Sequence, residues 1–390
     1  MIAFDEAIAL LAEVARPLDT ESVGLASADG RVLAEPIVAQ VQAPRADVSS
    51  MDGYAVGTLT GSTTLHVVGE SVAGAGFLGC IGPGEAVRIF TGAPVPTGAE
   101  RVVIQENVRR DGDRATIVEA GEGTNIRRAG SDFALGTVLV EAGALLGPRT
   151  IVAAAAADLA ELLVFRRPRV RVIATGDELA DPGRARSWPG SIPESVSFGV
   201  AAMARAWGGD VLGGVRLRDD LEEMRPAARA ALDGADLVVV TGGASVGDRD
   251  FAKPMFGDAL ELIFSKVRIK PGKPVWLGKV GQTLVLGLPG NPTSAMVTAR
   301  LSLAPLLAGL TGRDPRAALN WTPAPLAEPL GPAGDRETFS RARLEDGRLV
   351  LLENQDSGAQ RTLVAADLLV RRPAGDRSYA AGDPIDTLAF

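Results

Sequence analysis

Two scarcities restrict the chemistry open to this chain before any motif is read. In 390 residues there is one cysteine, Cys80, and one histidine, His66. A lone cysteine forms no disulfide within the chain and no cysteine-based zinc site. His66 lies in the alternating, strand-like run TTLHVVGE, where a structural role is expected. A single histidine leaves no Ser-His-Asp or Cys-His nucleophile system and no multi-histidine metal cage. Basic excess is also missing: the formal net charge is −8, which argues against a general nucleic-acid surface. The opening MIAFDEAIALLAEVARPL carries Asp5, Glu6 and Glu13 and no basic start, so it does not read as a signal peptide. The most apolar run, RTIVAAAAADLAELLVFRR, is interrupted by Asp158 and Glu161 and reads as an internal packing helix rather than a membrane span. A cytoplasmic protein without membrane or nucleic-acid partners is expected. What remains for chemistry is carboxylates, lysines, backbone amides and a hard, oxygen-loving cation.

Glycine and proline, by contrast, are plentiful, at 46 and 25 residues spread along the chain. They predict many turns rather than a disordered tract. The length predicts two to four domains. Residues 3–15 place Phe4, Ala7, Ile8, Leu11 and Val14 at helical spacing. From about 41 to 130, short apolar runs broken by Asp52-Gly53 and Asp111-Gly112 predict a mostly β module. Its GAGFLG (74–79) matches a dinucleotide-binding pattern, but Gly82-Pro83-Gly84 follows where a helix is required, so that reading is rejected. Residues 168–312 alternate strand-like and helix-like segments, which predicts a mainly parallel, doubly wound sheet. Beyond about 316, a hairpin around Asp346-Gly347 and the closing YAAGDPIDTLAF predict a small β domain.

In an open α/β sheet, ligands bind outside the carboxyl ends of the strands. Four loops expected there carry dense turn chemistry: Thr175-Gly176-Asp177-Glu178, Asp219-Asp220, TGGASVGDRDF (241–251) and Pro289-Gly290-Asn291-Pro292. A fifth stretch, SKVRIKPGKP, adds Lys266, Arg268, Lys270 and Lys273. Glycine loops let a backbone approach phosphate, yet Asp248 and Asp250 would repel it. A divalent cation bridging carboxylate and phosphate resolves the conflict, with the lysines holding anions directly. Any one of these aspartates could merely cap a helix or close a turn; it is their convergence that argues for a phosphorylated, metal-assisted ligand. No G-x-x-x-x-G-K-[ST] motif is present, which excludes a P-loop.

Seven motifs, SSMDGYAV (49–56), IFTGAPVPTGAERVVIQE (89–106), NIRRAGSDF (125–133), ATGDEL (174–179), TGGASVGDRDF (241–251), KVRIKPGKP (266–274) and GLPGNPTSA (287–295), occur together in order. In this the chain resembles the molybdopterin molybdenumtransferases of the MoeA and gephyrin E-domain type over essentially its whole length. The resemblance is weakest toward the C-terminus, where NQDSG (354–358) is a loose echo. It implies a multidomain α/β plus β protein: an N-terminal and linker domain (1–40 with 131–167), an inserted mostly-β domain (41–130), a doubly wound α/β molybdopterin-binding domain (168–315) and a C-terminal β domain (316–390).

The resemblance further implies a homodimer that inserts molybdenum from molybdate into adenylylated molybdopterin and releases AMP with Mg²⁺ or another divalent ion. The site would lie between the α/β domain of one subunit and the β module of its partner, which gives Asp52, Thr91, Arg127 and Asp132 a catalytic purpose. Glu178, Asp219 and Asp250 would hold the metal. Asp177, Gly242, Gly243, Ser245, Gly247, Lys266, Lys270, Lys273, Pro289, Asn291 and Pro292 would bind the pterin nucleotide and oxyanion. Molybdopterin adenylyltransferase and recipient molybdoenzymes are the implied protein partners. One segment departs from the pattern: Glu194-Ser195-Val196 stands where the family commonly reads Ile-x-Asp/Asn-Ser-Asn, and Val196 lacks an asparagine's hydrogen-bonding capacity. Two rival functions are a non-catalytic cofactor carrier, favoured by Val196, and a molybdopterin adenylyltransferase, disfavoured because such an enzyme alone would lack the β module and the C-terminal domain.

Overall fold

The computed structural model describes residues 1–59, 63–243 and 251–390. Its central sheet has six strands in the order Asp210–Leu217, Arg169–Thr175, Leu237–Thr241, Thr283–Leu288, Trp276–Val280 and Glu261–Phe264. The first four run parallel, as the strand–helix alternation predicted. The last two pairings are antiparallel, and between Trp276–Val280 and Thr283–Leu288 Gly281 at φ 59° allows a tight reversal where a parallel crossover would need a dozen residues.

Helices cover both faces of this sheet. Val170, Val172, Leu237 and Val239 pack with Val200 and Ala204 of Val196–Ala206 and with Leu301 and Leu306. Their alternates Ile173, Val238 and Val240 pack with Met224 and Ala228 of Leu221–Leu232 on the other face. That two-sided burial explains why LVVVT carries no polar residue until its end. The N-terminal helix Phe4–Val14 buries Phe4, Ala7, Ile8 and Leu11 in the first of these cores.

The 19-residue helical stretch Pro292–Leu310 is long and apolar enough to cross a membrane, but 94% of it is buried inside the molecule. It is a core helix. Its middle turn, Ala299–Leu303, is π-helical and comes just before Pro305, which has no N–H to return to the preceding turn.

The apolar run 149–167 does not form one packing helix. Pro148–Ala156 is helical, Asp158 turns left-handed at φ 66°, and Glu161–Phe165 becomes a strand paired with Thr20–Gly24. The alternation in ELLVF, with Leu162 and Val164 buried, decides the strand.

The β module is a six-stranded sheet, antiparallel except where Thr64–Ser71 meets Glu85–Ile89. No helix follows GAGFLG: Val72 and Ala75 close a turn there. The C-terminal sheet contains the predicted hairpin, with Asp346 and Gly347 both at positive φ. It also takes in Ile269–Lys270, which pairs in parallel with Glu337 and Thr338. The lysine segment is therefore clamped at the joint between the α/β and C-terminal units.

Candidate functional site

Register aligns the carboxyl ends of the parallel strands: Ala174 lies opposite Thr241, and Thr241 opposite Leu288. The loops leaving these ends surround a cleft of about 820 Å³. Of the predicted residues, Glu178, Asp219, Gly242, Gly243, Pro289, Asn291 and Pro292 line it. The loops touch one another closely. Gly242 has φ 90°, and a Cβ there would lie 2.4 Å from the Thr175 carbonyl oxygen, so only glycine lets the two strand ends meet.

Asp177 is exposed and outside the cleft lining: its carboxylate accepts the Asp219 N–H at 3.2 Å and lies 3.6 Å from Arg218. It positions the loop that carries Asp219. Glu178 and Asp219 are hard oxygen donors of the kind that suit Mg²⁺ alongside phosphate oxygens. Among the described residues no cluster of three such metal-ligating side chains forms. The third predicted ligand, Asp250, and the predicted phosphate-loop residues Ser245 and Gly247 lie outside the described residues.

A second cleft, about 560 Å³, shares Pro274 with the first. Lys270 and Lys273 line it together with Ser294, Arg336 and Ser357. Lys266 lines neither cleft; its carbonyl accepts the Ile2 N–H at 3.1 Å. The sequence reading missed Ser294, Arg336 and Ser357, and also Gly358 and Gln360 on the larger cleft. The legible signal was NQDSG, a turn in which the Asp356 carboxylate accepts the Gly358 N–H at 2.8 Å. That turn is docked by Asn291, whose Nδ2 donates to the Ser357 hydroxyl at 2.9 Å, and by Thr293, whose N–H donates to the Ser357 carbonyl at 3.0 Å.

The departing segment has its own logic. The Glu194 carboxylate is buried and accepts the Ser197 N–H at 2.8 Å and the Ser197 hydroxyl, capping the helix Val196–Ala206. Val196 lines the cleft and belongs to the sheet core.

Asp52, Thr91, Arg127 and Asp132 sit on the β module and its flank and line neither cleft of their own chain. Asp52 accepts the Thr91 N–H at 2.7 Å and its hydroxyl at 2.9 Å, which hold its carboxyl below the usual range. Arg127 is exposed on a short strand paired with Val48–Ser49, and the Asp132 N–H donates to the Ala43 carbonyl at 3.0 Å.

This fold and site define a class. Family models match residues 2–157 ("MoeA N-terminal region (domain I and II)"), 171–309 ("Probable molybdopterin binding domain") and 323–390 ("MoeA C-terminal region (domain IV)"). A "Molybdopterin molybdenumtransferase" of Haemophilus influenzae is 38% identical over 318 residues, covering 80% of this chain and 78% of the relative. A "Molybdopterin molybdenumtransferase 2" of Mycobacterium tuberculosis is 36% identical over 390 residues, covering 96% of each. The crystal structure of a molybdopterin biosynthesis MoeA protein from Pyrococcus horikoshii superposes with a TM-score of 0.86 at 26% identity, covering 100% of both chains. The chain belongs to the MoeA family and is an enzyme of it.

Proposed function

We propose that this enzyme inserts molybdenum from molybdate into adenylylated molybdopterin, releasing AMP and forming molybdenum cofactor. The observation that carries this reading is the meeting of two unlike clefts at Pro274, one bearing Glu178 and Asp219, the other lined by Lys270, Lys273 and Arg336. A pterin nucleotide fits the larger, where Gly242 and Gly243 let the backbone approach phosphate. Molybdate, a tetrahedral dianion, fits the smaller, where the lysines and Arg336 supply charge and Ser294 and Ser357 supply hydroxyl donors. The shared wall at Pro274 brings the oxyanion beside the pterin end.

Glu178 and Asp219 would hold Mg²⁺ or another divalent cation, which supplies charge neutralisation at the phosphoanhydride. Asp177 keeps the Asp219 loop in register for that task. Asn291 and Thr293 hold the opposite wall against the C-terminal unit, and Pro292 lines that wall. Since Asp52, Thr91, Arg127 and Asp132 line neither cleft of their own chain, a homodimer in which the partner's β module covers the cleft gives them a role. The enzyme is placed in the cytoplasm, between a molybdopterin adenylyltransferase and the molybdoenzymes that take the product.

Molybdate-dependent AMP release from adenylylated molybdopterin, with product that activates an apo-molybdoenzyme, is the expected result for purified protein with Mg²⁺. Tight binding without AMP release would instead make the chain a carrier, the reading favoured by the apolar Val196 in the cleft wall.

A further inference from the structure

Away from both clefts, a third cavity of about 250 Å³ opens where the segments 29–32 and 165–167 meet the end of the helix Val196–Ala206 and the residues after Leu310. Its lining is unusually basic for a chain of net charge −8: Arg31, Arg167, Arg205 and Arg313, against one carboxylate, Asp29. Arg31 is already neutralised by Glu21 and donates to the Phe165 carbonyl at 3.0 Å. The other three are not. Among the described residues, no carboxylate lies within ion-pair distance of Arg167, Arg205 or Arg313.

Arg313 is the telling one. Among the described residues its Nε is buried without a hydrogen-bond partner, and its Nη2 reaches only the Trp207 carbonyl, at a long 3.4 Å. Its guanidinium lies 5.2 Å from the Trp207 ring centre, so a π face is its main compensation. Burial draws its pKa below the ordinary arginine value. Arg300, which stacks on the same ring, differs in kind, because it donates to the carbonyls of Ala389 and Ala318. A half-buried guanidinium with an idle donor is costly unless something anionic meets it. Arg167 adds only a 3.5 Å contact to the Asp29 carbonyl, which leaves most of its fork available.

We propose that this cavity is a second anion site, distinct from the catalytic clefts, which takes a small tetrahedral dianion of the phosphate class between Arg167, Arg205 and Arg313. Its volume is below the roughly 300 Å³ at which drug-sized ligands begin, so an inorganic dianion or a single phosphoryl group fits and a nucleotide does not. Planar guanidinium forks match tetrahedral oxyanions bidentately. Arg167 belongs to the segment leading into the α/β unit, whereas Arg205 and Arg313 belong to that unit itself. The anion therefore ties the two together, and its binding stabilises the folded chain by mass action.

The test is calorimetric titration of the full-length protein with inorganic phosphate, and separately with sulfate, at constant ionic strength. Arg205→Gln and Arg167→Gln are the informative variants, since neither side chain is part of the core. A Lys270→Ala/Lys273→Ala chain separates this site from oxyanion binding in the catalytic region. One saturable event that persists in the lysine variant and weakens about tenfold or more in each arginine variant is expected. Binding by either dianion in that pattern sustains the site, and the tighter of the two identifies its class. Loss of binding in the lysine variant, no saturable binding at all, or an affinity untouched by the arginine changes overturns it.

Discussion

In the α/β unit the strand Leu237–Thr241 is buried at every position, whereas in the β module Thr64–Ser71 is buried only at Leu65 and Ser71. The difference decides where polar chemistry can sit. A sheet covered on both faces has no room for carboxylates along its strands, so they collect in the loops at the strand ends, as Glu178 and Asp219 do. The β module is covered on both faces only at its centre, where Gly53–Val56 is buried throughout, and strands such as Thr64–Ser71 are open for most of their length, so Asp52 and Arg127 are polar residues among many. Location therefore signals function in the first region and not in the second.

The sharpest way to break this contrast is to remove the strand-end carboxylates. Glu178→Gln and Asp219→Asn are each expected to lower molybdate-dependent AMP release by about 10²-fold or more with the melting temperature nearly unchanged. Activity within a few-fold of the parent would return both residues to the status of loop polarity. Next, Asp52→Ala is expected to lose activity although Asp52 lines no cleft of its own chain. Mixed with an Asp219→Asn chain under subunit exchange, it should regain activity if sites are shared between subunits. Two inactive chains that stay inactive on mixing would argue that the β module acts only within its own chain.

Stability comes next in size. Gly242→Ala forces a Cβ against the Thr175 carbonyl at a φ that disfavours side chains, and a loss of about 2 kcal/mol in denaturant unfolding is expected. The Asp236 carboxylate receives Arg166 bidentately at 2.6 and 2.8 Å and the Arg169 N–H at 2.7 Å. Burial alone would raise its pKa, but the Arg166 hydrogen bond, followed by the Arg169 N–H, leaves it lowered in the folded state. A lowered carboxyl pKa stabilises above the unfolded value, about 3.9, and that contribution disappears as pH falls through the folded value. Asp236→Asn should thus cost about 2 kcal/mol at neutral pH and progressively less below about pH 4. A difference constant down to pH 2 would show that packing, not charge, is responsible. The smallest effect is expected in the β module: His66 meets Asp113 at 3.3 Å with both side chains largely exposed, so His66→Gln should change stability by less than about 0.5 kcal/mol.

Composition and local pattern determined a good deal. The strand–helix alternation of 168–312, the helix at Phe4–Val14, the hairpin at Asp346-Gly347 and the lack of a helix behind GAGFLG all follow from periodicity and turn chemistry, which act between residues close in the chain. The same local rules misjudged 149–167, where alanine content suggested one helix and a long-range partner, Thr20–Gly24, drew ELLVF into a strand. Glu178, Asp219, Gly242 and Asn291 could be selected in advance because parallel strands must deliver their ends to one edge. Arg336 could not, since it comes beside Lys270 through a sheet that joins residues 269–270 to 337–338. Nor could the cluster of Arg167, Arg205 and Arg313, three residues with nothing in common until folding stacks the chain around Trp207. Short-range periodicity is written in the chain; which distant charges end up facing one another depends on how the sheets and helices pack.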